Sequence, residues 1–210
     1  EFRRVLFRSA VAFKTNDLTA YSPREKGVVI ASGDLSGRVL IWDVWMRWEP
    51  VVIDDEGRSA VVGIEWDTCR PDALRILYRN GTLFWVDYTS RKEILKKNEV
   101  FKDPVGFSGT TFTRGLFGIF GGQSMKYYNY VSELFSGSNH DMPSSYLLHT
   151  GEDIIRLVYS KMYRQVAYVL LEKHFLVFDT TLQSALSTID LSEVPMDMVY
   201  IDNEDFIVIL

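Results

Sequence analysis

One cysteine, Cys69, occurs in 210 residues. An internal disulfide is thereby excluded, and the usage fits a reducing compartment. Basic residues are in deficit. The 23 Lys and Arg stand against 28 Asp and Glu, a formal net charge of −5, which is the wrong balance for a nucleic-acid binder and its clustered basic surface. No apolar stretch reaches the roughly 18 uncharged residues that a membrane helix needs. Helical periodicity is almost absent. Three histidines, His140, His149 and His174, are scattered with no Cys, Asp or Glu at metal-ligand spacing. Apolar and aromatic residues are plentiful, at 47% and 14%, enough for a sizeable core and too much for a disordered chain. A soluble, cytoplasmic, all-β chain is expected, with no transmembrane segment, cofactor or small-molecule ligand.

Residues 1–9, EFRRVLFRS, read back into codons as the end of a widely used sequencing-library adapter. They are expected to be no part of the natural protein, which leaves 10–210 to carry the fold. Without them the formal net charge moves from −5 to −7. The natural start is then expected upstream of Ala10. The apolar run Phe206–Leu210 is likewise expected to be a strand cut short.

The clearest local structure runs from Gly27 to Trp45, GVVIASGDLSGRVLIWDVW. An apolar lead enters the polar turn Asp34-Leu35-Ser36-Gly37, and a second apolar run, Arg38 to Ile41, ends on Trp42-Asp43. β-branched runs on both sides of such a turn predict an antiparallel hairpin. Weaker copies follow. Trp85 comes 43 residues after Trp42, Tyr128 another 43 later, and Phe178 a further 50. Alternating stretches Val11–Phe13, Val61–Trp66, Val105–Phe107 and Ile154–Tyr159 precede the four anchors, and Val52, Leu95 and Thr188 mark closing strands. A four-stranded unit repeating every 40–45 residues or so is the pattern of a β-propeller blade. Blades are expected over roughly 10–56, 57–100, 101–150 and 151–193, with a fifth begun at 194–210. An insertion around Ser136–Ser145, SGSNHDMPSS, reads as a surface loop that lengthens the last spacing.

Each central hairpin has its own turn. Asn80-Gly81 predicts a type I′ turn, with positive φ at both positions. Gly121-Gly122 serves the third copy, and Asp202-Asn203 the fifth. Glu172-Lys173 is a weaker turn, expected to need a longer loop. Such a sheet has two apolar faces and cannot bury both alone, so copies must stack around a ring. Val39, Ile41, Leu83 and Trp85 are expected to point into one interface between copies. About four copies leave a ring open, and 10–210 produced alone is expected to aggregate through its exposed edges.

At GDLSGRVLIWDV the chain resembles the WD-repeat family. The resemblance assigns framework roles to Asp34, Gly37, Trp42, Asp43, Trp85, Asp87, Phe178 and Asp179, and the hairpin turn adds Asn80 and Gly81. No copy has the family's Gly-His pair, and the Asp of the central turn is clear only as Asp34, so the family's hydrogen-bonded tetrad is incomplete. Two longer stretches resemble one of the family's large tandem-propeller scaffolds. One is IASGDLSGRVLIWDV with VVGIEW and DALRILYRNGTLFWVDY; the other is IIRLVYSKMYRQVAYVLLEKHFLVFDTTLQSALSTIDL. That likeness implies a non-catalytic cytoplasmic adaptor, binding other proteins through its loops and rim, in trans-Golgi vesicle trafficking, cilium assembly and Hedgehog signalling. Cytoplasmic vesicles, the trans-Golgi and the ciliary base would be its locations. It carries over no partner-contacting residue.

Other candidates have plain structural readings. Cys69 lies in a turn-like TCRPD stretch without a nucleophile signature. Gly115, Gly118, Gly121 and Gly122 suggest a phosphate cradle, but a strand-like run follows them where a helix N-terminus is needed. They are expected to ease strand packing and a turn. Asp54-Asp55-Glu56 is an acidic loop and a candidate contact. Asn80-Gly81-Thr82 is a glycosylation sequon already explained by its turn. Arg91-Lys92 and Lys96-Lys97 are expected on a solvated sheet edge, and the sorting-signal-like Tyr168-Val169-Leu170-Leu171 inside a strand. An interaction scaffold is thus the leading expectation. Within the family the alternative is a ubiquitin-ligase substrate receptor or a vesicle-coat subunit. A propeller enzyme of glycosidase or quinoprotein type would need polar residues converging where Val11, Val61, Val105 and Ile154 stand.

Overall fold

A computed structural model describes residues 8–14, 29–43, 49–53, 59–67, 72–109, 117–128, 145–160, 162–163, 165–201 and 206–210. Cys69, Gly115, His140, Asp54-Asp55-Glu56, the Asp202-Asn203 turn and all but the last residue of the Ser136–Ser145 insertion lie outside these residues. The chain forms two compact units, Glu1–Lys102 and Asp103–Leu210. Every regular element among the described residues is a strand, and every pairing is antiparallel.

Unit 1 holds two four-stranded sheets, each a meander in chain order. The first is β1 (Arg8–Lys14), β2 (Val29–Asp34), β3 (Val39–Asp43) and β4 (Val51–Ile53). The second is β5 (Val61–Trp66), β6 (Ala73–Tyr78), β7 (Leu83–Asp87) and β8 (Lys92–Lys97). β1 takes in Arg8 and Ser9 from the adapter-like segment, and its pairing with β2 slips between Arg8 and Ala10.

Val29, Ala31, Val39 and Ile41 of the first sheet pack on Val61, Leu74, Ile76, Tyr78, Phe84 and Val86 of the second. β5 lies against β1 and β2. The approach is close: a Cβ on Gly33 would stand 2.5 Å from Val61 Cγ1. Leu74 pairs with Val86 and Ile76 with Phe84, so these four share the face toward the first sheet. Leu83 and Trp85 therefore occupy the opposite face. The expectation that they join Val39 and Ile41 in one interface is corrected, because strand side chains alternate.

Unit 2 repeats the plan. The third sheet is β9 (Gly106–Gly109), β10 (Phe117–Gly121), β11 (Ser124–Tyr128) and β12 (Tyr146–His149). The fourth is β13 (Ile154–Tyr159), β14 (Val166–Leu171), β15 (His174–Asp179) and β16 (Ser184–Asp190), and a hairpin of β17 (Met198–Ile201) and β18 (Phe206–Ile209) follows. Phe120, Met125 and Tyr127 meet Ile154, Leu157, Tyr159, Val169 and Phe178. On its other face the fourth sheet packs Tyr168, Leu170 and Phe175 against Met198, Tyr200 and Ile207. β13 lies against β9 and β10, and a Cβ on Gly118 would meet Tyr159 Oη at 2.5 Å and Leu157 Cδ2 at 2.8 Å. Gly118 thus repeats the role of Gly33.

The turns revise four expectations. Gly81 has φ +81° but Asn80 is not in the positive-φ region, so this is no type I′ turn. Gly81 N–H donates to Tyr78 O at 2.9 Å, and Tyr78 N–H to Thr82 O at 2.9 Å. That is a three-residue loop, a type I turn closed by a glycine bulge. The first sheet is built alike: Gly37 has φ +85° and donates to Asp34 O at 3.1 Å, while Asp34 N–H donates to Arg38 O at 3.1 Å. Matching Gly37 with Gly81 sets Asp43 against Asp87, 44 residues on, and Trp42 against Val86 rather than Trp85. In the third sheet Gly121 pairs with Ser124, so the loop is Gly122-Gln123, with Gly122 at φ +50°. The fourth sheet manages with Glu172-Lys173 alone, since β15 already begins at His174. Lys173 N–H donates to the Glu152 carboxylate at 3.1 Å, which steadies a turn that lacks glycine.

One main-chain bond recurs in three sheets. The chain leaving the fourth strand donates back to the last residue of the central turn: Val100 to Gly81 at 3.0 Å, Thr150 to Gln123 at 3.0 Å, Leu191 to Lys173 at 2.8 Å. These three sheets are latched at the same corner.

Candidate interaction surfaces

Two framework aspartates do the same local work. Asp87 Oδ1 accepts from Thr89 N–H at 3.0 Å, Thr89 Oγ1 at 2.7 Å and Ser90 N–H at 2.9 Å, and Arg91 then turns left-handed at φ 57°. Asp179 Oδ1 accepts from Thr181 and Leu182 N–H, both at 2.8 Å, before Gln183 at φ 54°. An ionised carboxylate is the better acceptor, so these bonds hold the Asp87 carboxyl down at about 2, the Ser90 amide and the Thr89 hydroxyl contributing most. At the first sheet's central turn, Asp34 Oδ1 accepts from Ser36 N–H at 3.0 Å and Arg38 N–H at 2.9 Å. Trp42 donates its ring N–H to Ser32 Oγ at 3.0 Å. Phe178 is buried against Tyr127, with ring centroids 5.9 Å apart. These residues shape turns and core.

The second sheet holds a charge cluster that sequence reading missed. Arg75, on β6, is 2% exposed and Asp67 3%. Arg75 Nη2 lies 3.3 Å from Asp67 Oδ1 and Nη1 3.3 Å from Glu65 Oε2, and its guanidinium stacks 4.6 Å from the Trp85 ring centroid. Taking the guanidinium out of water is tolerable because two carboxylates and an aromatic face replace the solvent. The signal was there in outline: Glu65 pairs with Arg75 across the strands, and Arg75 with Trp85.

Unit 2 gathers polar groups where its central turns meet the connections between sheets. Ile154 N–H donates to Gly122 O at 2.8 Å, and Glu152 receives the Lys173 amide. His174 Nδ1 stands 2.7 Å from Glu152 Oε1 and Nε2 3.3 Å from Asp190 Oδ1. Nearby in the chain, Ser124 Oγ lies 2.8 Å from His149 Nδ1. A Ser–His pair and a carboxylate–His pair are both present, yet Glu152 orients His174, not His149. They form no single acid–His–Ser relay of the kind that activates a nucleophile. Among the described residues no group of three or more His, Cys, Asp or Glu could hold a metal ion. No helix among them is long and apolar enough to cross a membrane.

The remaining candidates fall in structural places. Asn80 Oδ1 accepts from Thr82 N–H at 3.0 Å within its own turn. Gly118 and Gly121 lie in β10 and Gly122 in its turn. Arg91 precedes β8, which carries Lys92, Lys96 and Lys97; Lys96 Nζ sits 5.9 Å from the Phe84 ring centroid. Tyr168-Val169-Leu170-Leu171 is buried in β14. At the other end of the fourth sheet, Ser160 Oγ accepts from Met162 and Tyr163 N–H at 3.1 and 2.9 Å, and both side chains are exposed. Leu182, in the turn next to them, is exposed too; Thr180 N–H bonds Gln165 O at 2.9 Å and ties the two turns together. Two tyrosines of unit 2 have phenols kept neutral by their surroundings. Burial, Tyr146 and Asp179 push Tyr127 up to about 12, and burial pushes Tyr159 up as well.

No family model matches the chain, and no curated protein matches it.

Proposed function

We propose that the chain is part of a WD-type β-propeller, about four blades and the start of a fifth, that acts as a non-catalytic scaffold for other proteins. The observation that carries this reading is recurrence. Four successive meanders of four strands stack within their units with the first strand of one sheet against the first and second strands of the preceding one. In three of them the chain leaving the fourth strand donates to the last residue of the central turn. Blades arranged this way fix the loops, and loop sequence then selects the partner. Exposed, well-anchored groups such as Met162, Tyr163 and Leu182 are the sort of surface such a scaffold presents.

Within the family, the two stretches already quoted are similar to WD repeat-containing protein 11. That similarity supports an adaptor of trans-Golgi vesicle trafficking, cilium assembly and Hedgehog signalling, working in the cytoplasm at vesicle surfaces and the ciliary base. The test is affinity purification of the complete gene product, tagged in its own cells, with partners identified by mass spectrometry. Trans-Golgi tethering and vesicle proteins are expected. Cullin-type ligase or coat subunits instead would keep the propeller and discard the adaptor assignment. A bound small molecule or metal with no protein partner would replace the scaffold with an enzyme.

A further inference from the structure

We infer that the outer edge of the fourth sheet, strand β16, takes up an extended segment of a partner protein by strand addition, and that the segment is basic at its N-terminal end. The inference rests on the scaffold reading for the existence of a protein partner and adds where and how it docks.

β16 runs Ser184–Asp190, SALSTID, and all seven of its residues are exposed. Among the described residues it pairs on one side only, with β15. Its outward main-chain groups are therefore offered to another strand. The other closing strands are guarded. β4 has three residues, β12 has four, and β8, KEILKK, carries three lysines and a glutamate along six. Charge on an edge is a common defence against unwanted pairing. β16 has none before its last residue.

The register sets the shape of the occupant. Ser187 pairs with Val177 and Ala185 with Phe178, so Leu186 is bulged out of the ladder and stands 54% exposed. The regular run open to a new strand is Ser187–Asp190. Ile189, opposite Phe175, is 51% exposed and offers an apolar contact. Asp190 closes the run with a side chain 90% exposed, 3.3 Å from His174 Nε2. Glu193, also exposed, adds a second acid just beyond. An antiparallel newcomer brings its N-terminal end to Asp190. Charge complementarity asks for Lys or Arg there, followed by an apolar β-branched residue opposite Ile189.

The probe is the fluorescein-labelled peptide Lys-Val-Thr-Val-Thr, with Glu-Val-Thr-Val-Thr as its charge-reversed partner, titrated against the complete gene product by anisotropy. The lysine peptide is expected to saturate below about 1 mM and to slow amide exchange at Ser187–Asp190 but not in β8. Asp190→Lys should weaken the lysine peptide about threefold and strengthen the glutamate peptide by a similar factor. The exchange measurement on the unaltered chain keeps the test alive if the variant misfolds. No saturation together with no protection overturns the proposal, as does equal response of the two peptides to the reversal. Protection that appears only in a concentration-dependent dimer overturns it in favour of a second copy at this edge. Recovery of partners by the complete gene product while the peptide fails would remove this site and leave the scaffold. Peptide binding without recovered partners would do the reverse.

Discussion

Arg75 and Trp85 in the second sheet occupy the positions that Tyr168 and Val177 hold in the fourth. The strand pairing around them is the same, down to a slip in register after Trp85 in one and after Val177 in the other. One sheet fills the site with a buried cation, two carboxylates and an indole. The other uses a tyrosine stacked on Phe175 at 6.1 Å, its rings 9° apart. At the closing strand the contrast inverts, with charge on β8 and none on β16 until Asp190. Main-chain bonds keep the skeleton constant, and side chains decide what each surface can do.

The sharpest way to break the comparison is at Arg75. Arg75→Met takes the guanidinium away from the buried Asp67 carboxylate and from Glu65, and should cost about 3–5 kcal/mol. Tyr168→Phe at the matching position should cost less than about 1.5 kcal/mol. All five tryptophans lie in unit 1, so urea unfolding followed by tryptophan fluorescence reads the Arg75 change directly, with circular dichroism for Tyr168. Equal losses would mean that the charge cluster is not what holds the second sheet.

Next come the two glycines at the sheet-to-sheet approach. Gly33→Ala and Gly118→Ala each drive a methyl group into a side chain at 2.5 Å, and each should cost about 1–3 kcal/mol. Gly122→Ala meets open space but sits at φ +50°, so about 1 kcal/mol of backbone strain is expected. Thermal melts of the three variants rank them, and a neutral Gly118→Ala would show that the third and fourth sheets do not pack as closely as the first and second.

Two pH effects complete the series. Tyr127 ionises near 12 in the folded chain against an ordinary 10. Its share of stability is therefore complete below pH 10 and is lost as pH rises through 12. Absorbance titration should lose one late-ionising phenol in Tyr127→Phe. Asp87 works at the acid end and on an exposed turn, so its effect is the smallest. Its carboxyl is held near 2 against 3.8, so its contribution is present above pH 3.8 and disappears as pH falls through 2. An NMR titration of the Asp87 carboxyl that centres near 3.8 would contradict the turn bonds described above.

The strands were legible because alternation over four to six residues survives even where the repeat is weak; Val61–Trp66 and Ile154–Tyr159 fall on β5 and β13 residue for residue. Turn geometry was less so. Asn80-Gly81 reads as a type I′ turn on composition, but one extra loop residue converts it to a type I turn with a glycine bulge, and only a coordinate distinguishes them. The same single residue shifts the repeat by one, so that Val86 and not Trp85 stands at the position of Trp42. Arg75 was hidden because one charged residue in LRILY looks like the solvent face of an edge strand. Glu152 and His174 are 22 residues apart, and nothing in composition says that a connection and a turn will meet.

The corner latch has a consequence for inheritance. It joins amide to carbonyl and asks almost nothing of the side chains, which differ at every corner: Val100 with Gly81, Thr150 with Gln123, Leu191 with Lys173. A unit fastened that way can be duplicated as a cassette, and each copy is then free to drift on its own. Drift of this kind would wear a signature away one copy at a time while sparing the architecture, leaving a single Trp-Asp ending among neighbours that have kept only the shape.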